Sequence, residues 1–257
     1  MAFDLERGSV FRSWVLLIML ALIQVVSAQF CSFWNTDCID TLAQTAVSFD
    51  FQPLFPDPVF LYYGFDARAS RRIKSPITKT GFWLRYQNHV NRATVDANRT
   101  SEIGLRVGNL AGMPSGNNNG CDGIWGPTCS ADLKSALRHN MYRNAVSGTY
   151  YSKPLKRALS QMLLKPPQLP SCPQTILDVA SIPVQDFAEE RILDHHVTLM
   201  NPGSGKFPWQ VWYLDGMTSH QQASQVAVGI VSRGPTYNTP SLSPDDIQVE
   251  LVCVRSP

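Results

Sequence analysis

The sequence predicts an α+β fold: a single disulfide-stabilised secreted domain, mostly antiparallel sheet with three to five helices. Three observations predict it. Short runs of β-branched and aromatic residues are set apart by glycine and proline, the pattern of antiparallel strands. Two longer runs carry apolar residues three and four apart, the spacing of one helix face. All six cysteines, Cys31, Cys38, Cys121, Cys129, Cys172 and Cys253, follow an N-terminal apolar segment.

That segment reads as a signal peptide over residues 1–28, leaving a secreted domain over 29–257. Arg7 and Arg12 precede the apolar run Trp14 to Ile23, and Val26-Ser27-Ala28 supplies small residues at the cut. The apolar core falls well short of the roughly 20 residues that span a bilayer. No later run approaches that length and no apolar tail ends the chain, so no membrane partner is expected after cleavage. The formal charge of +2 gives no ground for a nucleic-acid partner.

An even cysteine count in an oxidising compartment predicts three disulfides. Of the pairings open to six cysteines, a local, local, long pattern is expected: Cys31–Cys38, Cys121–Cys129 and Cys172–Cys253. No C-x-x-C is present, which argues against thioredoxin-type redox chemistry, and the spacings do not make a zinc module.

In chain order, Asp37 caps an expected helix with Ile39, Leu42, Ala43, Ala46 and Val47 on one face. Pro53, Pro56 and Pro58 forbid helix next. Val59 to Tyr63 reads as a strand. Arg68, Arg71, Arg72, Lys74 and Lys79 form a basic cluster, a solvated loop in which Arg71-Arg72 is a candidate processing site. Gly81 to Gln87 is a strand with Phe82, Leu84 and Tyr86 on one face. Asn98-Arg99-Thr100 is an N-glycosylation sequon and belongs on the surface of a secreted chain. Glu102 to Val107 is a strand with Ile103, Leu105 and Val107 inward.

Gly112 to Gly120 is a loop whose Asn117-Asn118-Asn119-Gly120 suits left-handed backbone. The expected Cys121–Cys129 loop displays Asp122 and Trp125 and hands the chain to a helix capped by Ser130. Leu133, Ala136, Leu137, Asn140, Met141 and Asn144 share that helix's face. A second helix over Leu155 to Leu164 pairs with it, and Lys165 to Pro170 is a stiff connector and the candidate internal boundary. Further on, Val184 to Asp194 reads as a helix and His196 to Met200 as a strand. Pro208 to Asp215, apolar on both faces, reads as a central strand. Thr218 and Gln221 form a capping box for a helix over 219–232, stopped by Gly234-Pro235. The last element is a strand over 246–254 with Ile247, Val249, Leu251 and Cys253 inward.

Catalytic motifs are absent from the linear sequence. Gly203-Ser204-Gly205-Lys206 lacks the earlier glycine of a phosphate loop, and Phe207 stands where Ser or Thr would hold magnesium. Gly112 to Gly116 has the wrong spacing for a nucleophile elbow. His195 and His196 point to opposite faces if they lie on a strand, and His89, His139 and His220 stand at no helical spacing from them. No metal and no cofactor are therefore expected. A glycosidase pair would draw on Asp215 with Glu189 or Glu190, by position alone. The aromatics say more: Trp209, Trp212 and Tyr213 crowd one strand, and alternation puts Trp209 and Trp212 on opposite faces, one inward and one free to stack on sugar. The candidate binding residues are Trp125, Asp122, Trp209 and Trp212.

At Asn117 to Lys134, Pro208 to Met217 and Gln248 to Val254 the chain resembles a family of uncharacterised secreted proteins of filamentous fungi, through its Cys121-Asp122-Gly123-Ile124-Trp125-Gly126 stretch. The resemblance implies secretion and a fungal source, and brings no catalytic residue. The expected function is that of a secreted extracellular or cell-surface glycoprotein with a non-enzymatic binding or structural role. Its expected partner is a cell-wall or other polysaccharide. A secreted polysaccharide hydrolase and a proteolytically processed secreted precursor are the alternatives.

Overall fold

The computed structural model describes residues 31–68, 75–86, 96, 98–187, 208–239 and 243–256. They form eight strands and four helices. Strands β1 (Ala43–Phe49), β2 (Val59–Arg68), β3 (Ile77–Arg85) and β6 (Gln210–Asp215) make one sheet in the order β1-β2-β3-β6. Strands β5 (Val184–Phe187), β4 (Arg99–Arg106), β7 (Ala227–Pro235) and β8 (Gln248–Val254) make the second, in the order β5-β4-β7-β8. Every neighbouring pair is antiparallel. The helices are α1 (Asp122–Trp125, a single turn), α2 (Pro127–Val146), α3 (Pro154–Leu164) and α4 (Ser219–Ser224).

Alternation along the strands builds three layers. Leu61, Tyr63, Phe82 and Leu84 from the first sheet meet Ile103, Leu105, Ala227, Val231 and Val252 from the second. The other face of the second sheet, with Val228, Ile230, Val249 and Leu251, is covered by Leu133, Leu137 and Met141 of α2 and Leu155, Leu159 and Met162 of α3. Each such side chain adds about 1.5–3 kcal/mol when fully buried. The second sheet is therefore apolar on both sides.

That burial explains a correction. The helix expected over 219–232 ends at Ser224, and the chain continues as β7. Ala227-Val228-Gly229-Ile230-Val231 is a continuous apolar run, which periodicity cannot assign to helix or strand. The Thr218 capping box forms as expected, with Thr218 Oγ1 accepting from Gln221 N. Three further expectations change. Residues 43–49, read as helix, pair along β2 as strand β1, with Val47 opposite Leu61. Residues 184–187, read as the start of a helix, are strand β5. β6, read as central, is the edge of its sheet. Its second apolar face is covered by an N-terminal segment rather than by another layer. The expected strand over 196–200 lies outside the described residues.

Two of the expected disulfides are also corrected. Cys121 bonds to Cys253, and Cys129 to Cys172. All six cysteines are bonded, so Cys31 and Cys38 are left for each other, as expected. The stretch from Cys121 to Cys129 is helical, in α1 and the first turn of α2, rather than a closed loop. Such a stretch does not bring its ends to the Cα separation of about 4.4–6.8 Å that a disulfide needs. Cys253 points inward as expected, into the core beneath the helices. Ser130 lies inside α2, which instead starts at Gly126 with Pro127 in its first turn. The left-handed turn is present at Asn118, Asn119 and Gly120 (φ 50°, 52° and 87°). It lies along the free edge of β8, where Asn119 Nδ2 donates to the Leu251 carbonyl and Cys253 N to the Asn119 carbonyl.

Candidate functional site on the outer sheet

The outer face of the first sheet is crossed by residues 33–42. Tyr62, Gly64, Asp66 and Arg68 of β2 alternate onto this face, with Lys79, Gly81 and Trp83 of β3 and Tyr213 of β6. Gly64 and Gly81 stand directly opposite one another. A Cβ on Gly64 would lie 2.6 Å from Thr41 Cγ2, and one on Gly81 3.5 Å from Ile39 Cγ2. The paired glycines thus leave a trough in which the segment lies, with Ile39 packed on Tyr62 and Trp83.

Two side chains from the sheet tie the segment's carbonyls. Lys79 Nζ donates to Asn35 O at 2.6 Å, and Tyr213 Oη donates to Phe33 O at 2.9 Å. Asp66 stands opposite Lys79 across β2 and β3. Burial holds the Lys79 ammonium below the usual lysine range, and the nearby Asp66 and Asp40 charges offset part of that. Burial likewise holds the Asp66 carboxyl above its usual range, against the pull of its hydrogen bond from Ala67 N and of Arg68 and Lys79.

The anchored segment presents an aromatic pair. Trp34 is 58% exposed. Its ring centroid lies 5.4 Å from Tyr213, and Phe33 backs both, at 5.0 Å from Trp34 and 5.7 Å from Tyr213. The Arg68 guanidinium sits 5.5 Å over the Phe33 ring. An aromatic face already fixed by its neighbours can stack on the C–H face of a pyranose ring while ordering few side chains. Arg68 supplies hydrogen-bond donors beside it.

The residues singled out from sequence lie elsewhere. Trp212 and Trp209 both pack against the inter-sheet core, Trp212 edge-on to Phe82 at 6.0 Å and Trp209 edge-on to Tyr86 at 6.4 Å. Their expected opposition fails because Trp209 precedes β6 and does not follow its alternation. Asp122 and Trp125 are knitted into the start of the helical layer. Asp122 Oδ1 accepts from Ser130 Oγ at 2.6 Å and Asn118 Nδ2 at 2.9 Å, and Trp125 Nε1 donates to Ser130 Oγ at 2.8 Å. Trp125 packs on the core beneath α2. Gly123 is equally constrained: a Cβ there would meet Ser115 Oγ and stand 2.8 Å and 2.9 Å from the Ser115 backbone O and N. Gly123→Ala is expected to cost about 2 kcal/mol of stability in a denaturant titration. A loss below about 0.5 kcal/mol would mean that this backbone approach yields freely.

Trp34 was not among the sequence candidates. The signal was present: a tryptophan between Cys31 and Cys38 sits in a loop too short to have a core of its own. Asp215 is exposed at the end of β6, whereas Glu189 and Glu190 lie outside the described residues, as do His89, His195, His196, Arg71-Arg72 and the signal segment. Among the described residues no group of three or more His, Cys, Asp or Glu side chains is placed to hold a metal ion. A groove of about 550 Å³ beside α3 is lined by Leu159, Leu163, Ile182 and Val184, with Lys156, Ser160, Ser181 and Gln210 as its polar groups. Among the described residues its lining holds neither a carboxylate nor an aromatic ring.

The fold and site define a disulfide-bonded α+β protein of two antiparallel sheets, with helices over one and an exposed tryptophan packed on a half-buried tyrosine on the other. No family model, curated protein or solved structure matches the chain. No described helix is long and apolar enough to cross a membrane, and the fully bonded cysteines are compatible with an extracellular location.

Proposed function

We propose that this is a secreted extracellular glycoprotein with a non-enzymatic binding role, and that it holds a polysaccharide chain on Trp34 and Tyr213. The observation that carries the reading is Trp34: a large ring 58% exposed, yet packed against Tyr213 and Phe33 on a segment anchored to a sheet. Stacking of this kind favours flat, uncharged sugar faces, so neutral polymers are the ligands of choice. The acidic groups whose protonation is shifted, Asp66 and Glu102, are both buried and available to no polymer.

Depletion by insoluble chitin, cellulose, β-glucan and mannan, scored also for released sugar, tests the reading. Binding to at least one polymer without soluble product is expected. Trp34→Ala should weaken it about tenfold or more, while the loss of its ring contacts with Phe33 and Tyr213 lowers the melting temperature by only about 2–4 °C. Undiminished binding by that variant, or no binding by the parent, removes the platform. Release of sugar would instead favour a hydrolase. Intact mass separates this reading from a processed precursor: a single chain beginning at Gln29, uncut after Arg72, is expected.

A further inference from the structure

We infer that a second aromatic cluster, Tyr237 with Tyr150, is the resting place of the protein's own N-linked glycan on Asn98. The inference rests on the reading of Asn98-Arg99-Thr100 as an occupied sequon. Asn98 is exposed immediately before β4. Its backbone carbonyl accepts from Thr236 N at 2.8 Å and from Thr236 Oγ1 at 3.1 Å. The next residue along that strand of contact is Tyr237. A sugar joined to Asn98 therefore starts beside the segment that carries Tyr237.

The cluster is fixed from beneath. Tyr151 is buried and its hydroxyl donates to Pro235 O at 3.1 Å and Thr236 O at 3.2 Å. Tyr237 meets Tyr151 edge-on at 6.0 Å and Tyr150 at 5.1 Å, and its hydroxyl donates to Gly148 O at 3.3 Å. Arg157 Nη1 holds the Tyr150 carbonyl at 2.8 Å. Despite these ties the Tyr150 side chain is left 67% exposed. An N-acetylglucosamine ring has one face of C–H groups that suits such a surface. Being tethered to Asn98, it meets the rings at high effective concentration and with no translational loss. The patch is thus a covered surface in the glycosylated protein, unlike the Trp34 platform, which has no sequon beside it.

The test uses protein secreted from a host that N-glycosylates, with occupancy of Asn98 read by intact mass and the glycan trimmed to one N-acetylglucosamine. Melting temperatures are compared with the unglycosylated Asn98→Gln and Thr100→Ala variants, in parent, Tyr150→Ala and Tyr150→Phe backgrounds. The sugar is expected to raise the melting temperature by about 2–4 °C in the parent and in Tyr150→Phe, and by less than about 1 °C in Tyr150→Ala. The exposed position of Tyr150 keeps its alanine variant folded, and Tyr150→Phe retains the ring as a control. An equal rise in all three backgrounds, or no rise in an occupied parent, overturns the docking. A mass that shows bare Asn98 overturns the sequon reading itself and is distinguished by that readout.

Discussion

Replacing Cys121 and Cys253 together by serine is expected to cost about 5 kcal/mol of folding stability. The bond joins residues 132 apart, so in the unfolded chain it closes most of the described protein into one loop. The chain-entropy cost of opening such a loop exceeds the roughly 4 kcal/mol expected for Cys129–Cys172, which spans 43 residues. The expected pairing of Cys121 with Cys129 would have contributed only about 2.5 kcal/mol. Against a total of about 5–15 kcal/mol for a domain, the loss approaches unfolding. The position of the bond adds to its length: it fastens the α1 turn to the end of β8, and so the helical layer to an edge strand. Equilibrium denaturation is the measurement, with a fall of about 10–20 °C in melting temperature as its thermal counterpart. A loss under about 2 kcal/mol would show that the reduced chain keeps these segments together without the bond.

Stability should also fall as pH rises toward neutrality, and Glu102 is the expected cause. The side chain is fully buried on β4, facing the helical layer, and caps α3: its carboxyl accepts from Leu155 N at 2.6 Å and Lys156 N at 3.3 Å. Burial pushes its pKa up to about 7; those two bonds and the nearby Lys153 charge offset part of the rise, and Asp186 adds to it. The neighbours are set by register. Asp186 on β5 lies opposite on one side and is paired with Lys153 Nζ at 2.5 Å, and Ser232 on β7 lies opposite on the other. The Ser232 hydroxyl is buried without a partner among the described residues, and a protonated carboxyl across from it has a hydrogen to give. Because the folded pKa lies above the ordinary glutamate value of about 4.5, the folded state keeps a proton that the unfolded chain releases. This contribution is complete below about pH 4.5 and is lost as pH climbs through 7, a change on the order of 3 kcal/mol. Glu102→Gln removes the titration, so its stability should vary less than the parent's between pH 4.5 and 8. Parallel profiles for the two proteins would exclude Glu102 as the source.

Much of the fold was legible because several segments carry their own instructions. β2, β3, β4 and β8 fall on the expected runs, and Ile103, Leu105, Val249 and Leu251 point inward as alternation requires. α2 and α3 follow their apolar spacing, and the Asn118-Asn119-Gly120 turn follows from residues that tolerate left-handed backbone. The readings that failed share a cause: each depended on a layer the segment could not announce. Residues 43–49 hold a weak helical pattern and become a strand because β2 offers a full register of partners. Residues 227–235 become a central strand because helices cover one face and a sheet the other.

The site divides in the same way. Tyr213 was visible as part of an aromatic strand, but its outward direction follows from where β6 begins and from the segment laid over it. Trp34 becomes a candidate only once Lys79, Tyr213 and the Gly64–Gly81 trough are seen to hold its backbone on the sheet. Asp122 and Trp125, which looked displayed, turn inward because Ser130, in the first turn of the following helix, binds both.

By itself, the sequence determined the α+β class, the positions of most strands and both long helices, and the sequon. These depend on local periodicity, turn chemistry and short separations along the chain. Tertiary structure alone decided the two long disulfides, the edge position of β6 and which aromatic rings face water. Those are set by contacts between residues far apart in the chain, and no local pattern encodes which distant surface will cover a given face.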